Sequence, residues 1–287
     1  MPNRKLIYGP LLFFFAVSVI LGTAVFFSRS QDMKVVFFDV GQGDAILISQ
    51  GSNQLLVDSG KSGQILLEKL GKYIPFWDRK IEAVLMTHPD QDHIGGFAEV
   101  FKSYDVGMVI RTNAENDSQT FKALEEYIVK EGSSVVEGKI GTKIIFPNGS
   151  EMEIVYPFSS ILGNSKDTND SSIVSILEFG ETKFLLMGDL TSEKEEEILR
   201  KTIDVSADIL KVGHHGSKYS TSEKFLEKVS PRNAVISAGR NNSYGHPALE
   251  ILERMKKSGV EIFRTDEIGD ISYGCDDQRN DCQLSVR

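Results

Sequence analysis

Cysteine, proline and positive charge are all scarce in this sequence. Its 287 residues include 2 cysteines and 8 prolines, and no low-complexity tract interrupts the chain. So few cysteines exclude a disulfide-rich scaffold and make a zinc ribbon, which needs two closely spaced pairs, a poor fit. Acidic residues outnumber basic ones by 41 to 32, for a net charge of −9. Because that charge does not attract polyanions, any nucleic-acid contact must be local or mediated by a metal.

The rest of the composition is that of an ordinary folded protein. Hydrophobic residues make up 40% of the chain and charged residues 25%. This balance excludes a disordered chain, a collagen-like repeat and a polytopic membrane protein. The length fits one large domain or two ordinary ones.

One apolar run stands apart at the N-terminus. Residues 11–27 carry no charge, and the apolar character extends back to Leu6, for a run of 22 residues, which is long enough for a bilayer-crossing helix of roughly 20 residues. We therefore expect a membrane anchor over residues 1–30 and a globular domain over residues 31–287. Arg4 and Lys5 precede the run, so the positive-inside bias places the globular domain outside the cytoplasm. A cleaved signal peptide, and thus a secreted protein, is the alternative.

The two cysteines, Cys275 and Cys282, lie on either side of a short polar stretch between two strand-like runs. They can pair across a hairpin, or they can remain two free thiols. A disulfide would agree weakly with an exported domain, because such bonds persist in oxidising compartments.

Downstream of the apolar run, short strand-like segments alternate with helical ones in two comparable halves. The pattern predicts strands at 34–38, 45–49, 55–57, 81–86, 107–111, 173–179, 182–187, 207–212, 234–238 and 260–264. Helices are predicted at 64–70, 119–129, 192–201, 222–229 and 247–258. Two halves of this kind suggest two sheets sandwiched between helices.

All five histidines follow predicted strands, at positions 88, 93, 214, 215 and 246. A single histidine is more often structural than functional, but five at strand ends indicate a site. The densest group is Thr87-His88-Pro89-Asp90-Gln91-Asp92-His93, which offers two imidazoles and two carboxylates. One short loop of this composition can serve two metal ions, whereas a solvated acidic loop would not need the histidines.

This loop resembles the His-x-His-x-Asp-His signature of metallo-β-lactamase-fold hydrolases. With Asp90 in place of the second histidine, it is similar to the variant in the hydrolase domain of ComEC competence proteins. Further motifs of that group occur in the same order: Phe38-Asp39-Val40-Gly41-Gln42-Gly43-Asp44, Leu56-Val57-Asp58-Ser59-Gly60, Asn169-Asp170-Ser171-Ser172, Leu186-Met187-Gly188-Asp189-Leu190, Val212-Gly213-His214-His215-Gly216-Ser217 and Asn242-Ser243-Tyr244-Gly245-His246-Pro247. The transmembrane uptake channel of ComEC proteins is absent.

The resemblance covers residues 33–270 and implies an α/β fold, a four-layer αββα sandwich, here preceded by a single N-terminal transmembrane helix. It also implies two divalent metal ions, Zn²⁺ or Mn²⁺, that share Asp189. The expected metal ligands are His88, Asp90, Asp92, His93, Asp189 and His214, with His215 as the alternative to His214. The fold's usual further histidine is missing near Asn169, where Asn169, Ser171 or water could replace it. Asp58 matches a residue that braces the ligand loop, although a turn role is equally plausible.

Catalytic residues are expected to be Asp92, His215 and His246, with His215 close to the substrate. His246 could hold a phosphate oxygen or protonate the leaving group. Ser217, Lys218 and Tyr244 are expected to contact the substrate, although residues of these types are more often plain surface.

The function implied is hydrolysis of DNA or another phosphodiester outside the cytoplasm, by hydroxide generated at the metals. Two alternatives remain open. The same fold could hydrolyse small phosphodiesters such as phosphocholine esters, which the negative net charge favours. It could also be a nucleic-acid-binding module with a residual metal site, which the missing histidine favours. The expected partners are DNA or another phosphodiester substrate and the membrane, through the N-terminal helix, and the sequence identifies no protein partner.

Overall fold

The computed structural model describes residues 4–29, 32–164 and 167–285. Its first helix, α1, spans Arg4–Arg29. Among the described residues, however, no helix combines the length and the apolar character that crossing a bilayer requires. The predicted transmembrane anchor is therefore wrong, and so is the membrane-anchored location derived from it. The predicted domain boundary between residues 30 and 31 lies outside the described residues.

The prediction failed because it counted the length of an uncharged run and gave little weight to its content. Six of the 22 residues from 6 to 27 have small, cyclic or polar side chains that reduce its apolar character: Tyr8, Gly9, Pro10, Ser18, Gly22 and Thr23. Pro10 lies inside the helix, where it cannot donate a backbone hydrogen bond.

Two mixed sheets form the centre of the globular domain. Within the described residues, the first has eight strands in the order β17-β16-β1-β2-β3-β4-β5-β7, and the second has seven in the order β15-β14-β13-β12-β11-β9-β8. The strands of the first sheet are β1 (Met33–Phe37), β2 (Ile46–Gln50), β3 (Asn53–Val57), β4 (Lys80–Met86), β5 (Asp105–Arg111), β7 (Ser134–Glu137), β16 (Ile271–Asp276) and β17 (Asp281–Ser285). Those of the second are β8 (Lys143–Ile145), β9 (Glu151–Tyr156), β11 (Val174–Phe179), β12 (Thr182–Leu186), β13 (Ile209–Lys211), β14 (Asn233–Ile236) and β15 (Glu261–Arg264). A small parallel pair joins β6 (Asn113–Glu115) to β10 (Leu162–Asn164).

Alternating side chains bury both faces of each sheet. Along β1, Val35 and Phe37 pack between the two sheets, while Val36 packs against the outer helices. Along β12, Phe184 faces inward and Leu185 faces the helices on the other side. The period of two in each strand produces these separate cores. The predicted four-layer αββα sandwich is confirmed.

Helices cover the outer face of each sheet. They are α2 (Gly63–Tyr73), α3 (Gln91–Ile94), α4 (Phe97–Ser103), α5 (Gln119–Glu131), α6 (Ser192–Arg200), α7 (Glu223–Val229), α8 (Leu249–Lys257) and α9 (Thr265–Ile268), with 3₁₀ turns at Thr168–Ser171 and Gly213–Gly216. Serine hydroxyls cap several helices, as Ser118 does for α5 by accepting the Phe121 N–H. Such caps satisfy backbone donors that the first turn leaves free.

A disulfide joins Cys275 of β16 to Cys282 of β17, which lie directly opposite each other in the antiparallel ladder. Of the two alternatives left open by the sequence, the structure has the bonded pair. The bridge closes the outermost hairpin of the eight-stranded sheet.

The chemistry-bearing loops all leave parallel strands at their carboxyl ends. Strands β3 and β4 are parallel neighbours in one sheet, and β12 and β13 are parallel neighbours in the other. Asp58 follows β3, His88 follows β4, Asp189 follows β12 and His215 follows β13. Carboxyl ends of parallel strands are where open α/β sheets place their binding crevices.

Candidate metal centre

Three imidazoles converge on the carboxylate of Asp189. The Nε2 atoms of His93 and His215 each lie 3.3 Å from Asp189 Oδ2. The ring of His88 lies 4.1 Å from that of His93, centroid to centroid. Asp92 Oδ2 is 3.4 Å from His215 Nε2. Residues from both sheets thus form one compact cluster.

The opposite ring nitrogens are held by acceptors behind the cluster. His93 Nδ1 is 2.7 Å from Asp58 Oδ2, and His215 Nδ1 is 3.0 Å from the Ser237 carbonyl oxygen. His88 Nδ1 is 3.0 Å from Thr87 Oγ1, whose own proton goes to Asp58. Because each Nδ1 faces an acceptor, a neutral ring with its proton on Nδ1 would present the lone pair of Nε2 to a ligand.

Among the described residues, the inward atoms of His93 and His215 lie near a carboxylate oxygen of Asp189 but form no hydrogen bond to it. The part of the chain that the structure describes offers no hydrogen bond to the buried Nε2 atoms of His88, His93 and His215, or to Asp189 Oδ1. Leaving buried polar atoms unsatisfied is costly. Neutral imidazoles and carboxylates are ligands for Zn²⁺ and related divalent cations. Four sets of three residues, among them Asp92–His93–His215 and His88–His93–Asp189, have ligand atoms within 4.8 Å of one another. The residues present therefore fit divalent metals.

The pKa shifts of the clustered residues indicate a strongly negative electrostatic potential at the site. Burial, with His93 next to it, lowers the pKa of His88 to about 4, so its ring is neutral at pH 7. Burial would also lower the pKa of His93, but the Asp189 and Asp58 carboxylates outweigh burial and raise it. Burial would raise the pKa of Asp92, but the imidazoles of His215 and His93 beside it lower the value to about 2. A site that favours protonated imidazoles also favours a bound cation.

Asp90 lies at the edge of this cluster rather than within it. Its Oδ2 is 3.8 Å from His88 Nε2, while its Oδ1 accepts a hydrogen bond of 2.5 Å from Thr168 Oγ1. Burial raises the pKa of its carboxyl group. Thr168 belongs to the 3₁₀ turn in which the sequence lacks a histidine, and sequence reasoning missed it.

The replacements suggested for the missing histidine are partly engaged elsewhere. Ser171 Oγ donates to the Thr168 carbonyl oxygen, and Ser172 Oγ accepts the Asp189 N–H. These bonds tie the turn to the strand end that carries Asp189, so the turn orients that carboxylate.

The structure places the side chains of His214 and His215 at different depths in the cluster. His215 is 1% exposed and faces Asp189 and Asp92, whereas His214 Nε2 lies 3.8 Å from Asp189 and its side chain is 25% exposed. Both residues have left-handed backbones, with φ of 48° and 54°. Of the two alternatives, His215 is the one whose ring lies among the clustered candidate ligand atoms.

His246 and Tyr244 lie on the open side of the cluster. The His246 ring is 5.4 Å from that of His214 and 6.5 Å from that of His215, and its Nδ1 has no partner among the described residues. Tyr244 is 68% exposed and stacks on His246 at 5.9 Å with an interplanar angle of 25°. The structure thus places both residues beside the cluster.

Two residues expected to contact substrate have other contacts. Ser217 is buried, its N–H donates to the His214 carbonyl oxygen, and its hydroxyl accepts the Tyr219 N–H. It braces the loop that carries the histidines. Lys218 is exposed, and its ammonium lies 4.9 Å from the centre of the Tyr219 ring.

Two contributors, Asp44 and Lys211, were undervalued by sequence reasoning. Both are buried, and Lys211 Nζ lies 2.6 Å from Asp44 Oδ2. A lysine inside the apolar run from Ile209 to Val212 was the available signal, because lysine is almost never fully buried unless it is paired.

Comparison with known families agrees with this geometry. The model of the family described as the metallo-beta-lactamase superfamily matches residues 38–240, which include the whole metal cluster. The chain belongs to the metallo-beta-lactamase superfamily. The resemblance inferred from the sequence motifs is confirmed.

Curated relatives of this superfamily member include competence proteins. The chain is 32% identical over 265 residues to ComE operon protein 3 of Bacillus subtilis, an alignment that covers 85% of this chain and 33% of the relative. It is 31% identical to Recombination protein 2 of Haemophilus influenzae, with 79% and 27% covered, and 27% identical to Competence protein ComA of Neisseria gonorrhoeae, with 85% and 32% covered. The chain spans about a third of the length of these relatives.

Solved structures share the metallo-beta-lactamase fold at low sequence identity. The metallo-beta-lactamase fold protein YhfI from Bacillus subtilis aligns with a TM-score of 0.58 and 11% identity, covering 85% of this chain and 99% of that one. Zn²⁺-bound PqqB from Methylobacterium extorquens aligns with a TM-score of 0.53 and 12% identity, with 81% and 98% covered. These likenesses describe the fold alone.

Proposed function

We propose that this protein is a metal-dependent phosphodiesterase that cleaves DNA or another nucleic acid. The observation that carries the proposal is the convergence of three unpartnered Nε2 atoms on Asp189. The family match establishes the superfamily, and the ligand cluster supports the binding of divalent metals. Nuclease chemistry, substrate and metal identity belong to the proposal.

The ligands divide into two groups around Asp189. His88 and Asp90 would hold one ion, and Asp92, His93 and His215 the other, with Asp189 between them. Zn²⁺ and Mn²⁺ both suit such a mixture of imidazoles and carboxylates. When bound, a pair of such ions lowers the pKa of water and neutralises charge on the phosphate.

Three side chains on the open side act directly on the substrate. Burial and the neighbouring His214 lower the pKa of His246, which favours the neutral ring at pH 7. A neutral imidazole suits a hydrogen bond to a phosphate oxygen better than proton donation, so the first of the two roles considered for His246 is favoured. Asp92, ionised and 28% exposed, can accept a hydrogen bond from the attacking water. Tyr244 offers an exposed ring on which a base can stack.

The names of the relatives support a nucleic-acid substrate. Two are described as competence or recombination proteins, and their aligned segments are a third or less of their length. Their full activities are therefore carried over only as part of this proposal.

The test is cleavage of labelled single-stranded DNA by the full chain with Mn²⁺ or Zn²⁺. We expect cleavage that chelator abolishes and that Asp189→Asn reduces below detection. Asp204→Asn, the same change at an exposed residue outside the cluster, should cleave as the wild type does. Chelator-resistant cleavage, or full activity of Asp189→Asn, would refute the proposal.

A small phosphodiester is the second candidate substrate, because the net charge of −9 does not attract a polyanion. Bis(p-nitrophenyl) phosphate and a phosphocholine ester should be assayed beside DNA. Turnover of the esters without DNA cleavage would favour this candidate. DNA binding by a protein that retains no metal would favour a binding module.

A further inference from the structure

Lys211 is a buried cation directly behind the metal cluster. Alternation along β13 puts it on the same side as Ile209, which faces the other sheet. Its side chain is fully buried, with Nζ 2.6 Å from Asp44 Oδ2 and 3.0 Å from the Val212 carbonyl oxygen. An ammonium in such a place would cost several kcal/mol without its partner.

Asp44 reaches this cation through an unusually close turn. The preceding Gly43 has φ of +120°, and a Cβ there would lie 2.0 Å from the Asp92 carbonyl oxygen. The Asp44 N–H donates to that same oxygen at 3.3 Å. The turn after β1 therefore packs directly on the loop that carries the metal ligands, with no room for a side chain between them.

The second oxygen of Asp44 faces a metal-ligand histidine. Asp44 Oδ1 lies 3.4 Å from His215 Nδ1 and has no hydrogen-bond partner among the described residues. The Ser237 carbonyl oxygen is 3.0 Å from the same ring nitrogen. Two acceptors on one Nδ1 favour a proton there, which leaves Nε2 free to bind a cation.

The charges also balance. Five carboxylates surround the site: Asp44, Asp58, Asp90, Asp92 and Asp189. Two divalent cations, when bound, would together with the Lys211 ammonium carry as many positive charges. Lys211 supplies the positive charge that lies beside Asp44.

We propose that Lys211 and Asp44 form a positioning pair that prepares His215 for metal binding. Lys211 holds Asp44 Oδ2, so Asp44 Oδ1 stays beside His215 Nδ1, and His215 Nε2 stays directed at Asp92 and Asp189. The inference rests on the proposed metal-dependent function, and it adds two residues that do not themselves touch the metals.

The test compares Lys211→Met, Asp44→Asn and the double variant in the full chain. Three quantities are measured: the Tm of the metal-free protein, the affinity for Mn²⁺ and Zn²⁺ by calorimetry, and the visible absorption spectrum with Co²⁺. The control pair is Lys69→Met with Asp270→Asn, which removes another ion pair of 2.6 Å, one that contacts none of the metal-ligand histidines.

Lys211→Met alone should lower the Tm, because it leaves Asp44 buried and unpaired. The double variant should recover much of that Tm, yet bind metal about 10- to 100-fold more weakly than wild type, as loss of an outer partner of a ligand does. Its Co²⁺ spectrum should also change. The control pair should alter the Tm only.

Wild-type affinity and an unchanged Co²⁺ spectrum in the double variant would overturn the inference and leave the proposed function standing. If the wild type binds no metal, the proposed function fails and the inference falls with it. If Lys211→Met does not fold, Asp44→Asn and the double variant decide the result.

Discussion

The histidines of the buried floor of the site and those of its open rim differ in the hydrogen bonding of their Nδ1 atoms. The floor consists of His88, His93 and His215 around Asp189, and each of its three Nδ1 atoms is held by a protein acceptor. The rim consists of His214, His246 and Tyr244, and no described residue pairs with Nδ1 of either rim histidine. Hydrogen-bonded rings of fixed orientation suit metal ligands, whereas imidazole nitrogens without a protein partner suit contacts with a substrate that binds and dissociates. Floor variants should therefore change metal binding, and rim variants should change turnover.

The neighbours His214 and His215 give the largest expected contrast. His215→Ala should lose bound metal and all cleavage, because it removes an atom 3.3 Å from Asp189 and 3.4 Å from Asp92. His214→Ala should keep its metal and lose turnover. Metal content by mass spectrometry, measured with cleavage rate, checks both. The reverse pattern would restore the assignment made from sequence.

His246→Asn should lower kcat by about 100-fold, the scale of a side chain that assists directly in the transition state. Its metal affinity should remain that of wild type, because its ring is 6.5 Å from that of His215, centroid to centroid. Steady-state kinetics and calorimetry on one preparation make this measurement. Loss of metal in this variant would place His246 in the floor.

Asp58→Asn should weaken metal affinity by about 10- to 100-fold. Asp58 accepts hydrogen bonds from the Thr87 N–H and hydroxyl and from His93 Nδ1, and asparagine tolerates its backbone φ of 56°. With saturating metal, kcat should return close to wild type. A kcat that stays low at saturation would show that Asp58 does more than hold its neighbours.

Removal of the disulfide should have the smallest effect on the site. Replacing Cys275 and Cys282 with serine should lower the free energy of unfolding by about 2 kcal/mol, since the bridge closes a short loop. Metal affinity and kcat should not change, because the hairpin belongs to neither floor nor rim. Thermal melting and the cleavage assay test this, and altered kinetics would connect the hairpin to the site.

Local patterns in the sequence predicted much of this molecule. Strand periodicity and turn residues were sufficient for the two sheets, because alternation depends on near neighbours. The dense loop from His88 to His93 was also visible, since its ligands lie within six residues. The helix at Arg4–Arg29 exists, but its length misled the prediction about the membrane.

What the sequence did not predict depends on backbone conformation and distant pairing. Nothing local indicates that His214 and His215 both take left-handed conformations, which decides which ring turns inward. Lys211 resembles a surface residue until Asp44, from the other end of the domain, is placed beside it. The contribution of Thr168 to the site likewise becomes apparent only from its hydrogen bond to Asp90.

The candidate metal ligands come from loops of both sheets. A bound cation would therefore link the two halves of the sandwich, and at 100 times its Kd it would add about 2.7 kcal/mol to the stability of the folded protein. A newly synthesised chain can complete this metal site only after both halves have folded. Uptake of metal would therefore mark the end of maturation, and starvation for metal would leave the protein vulnerable to proteases.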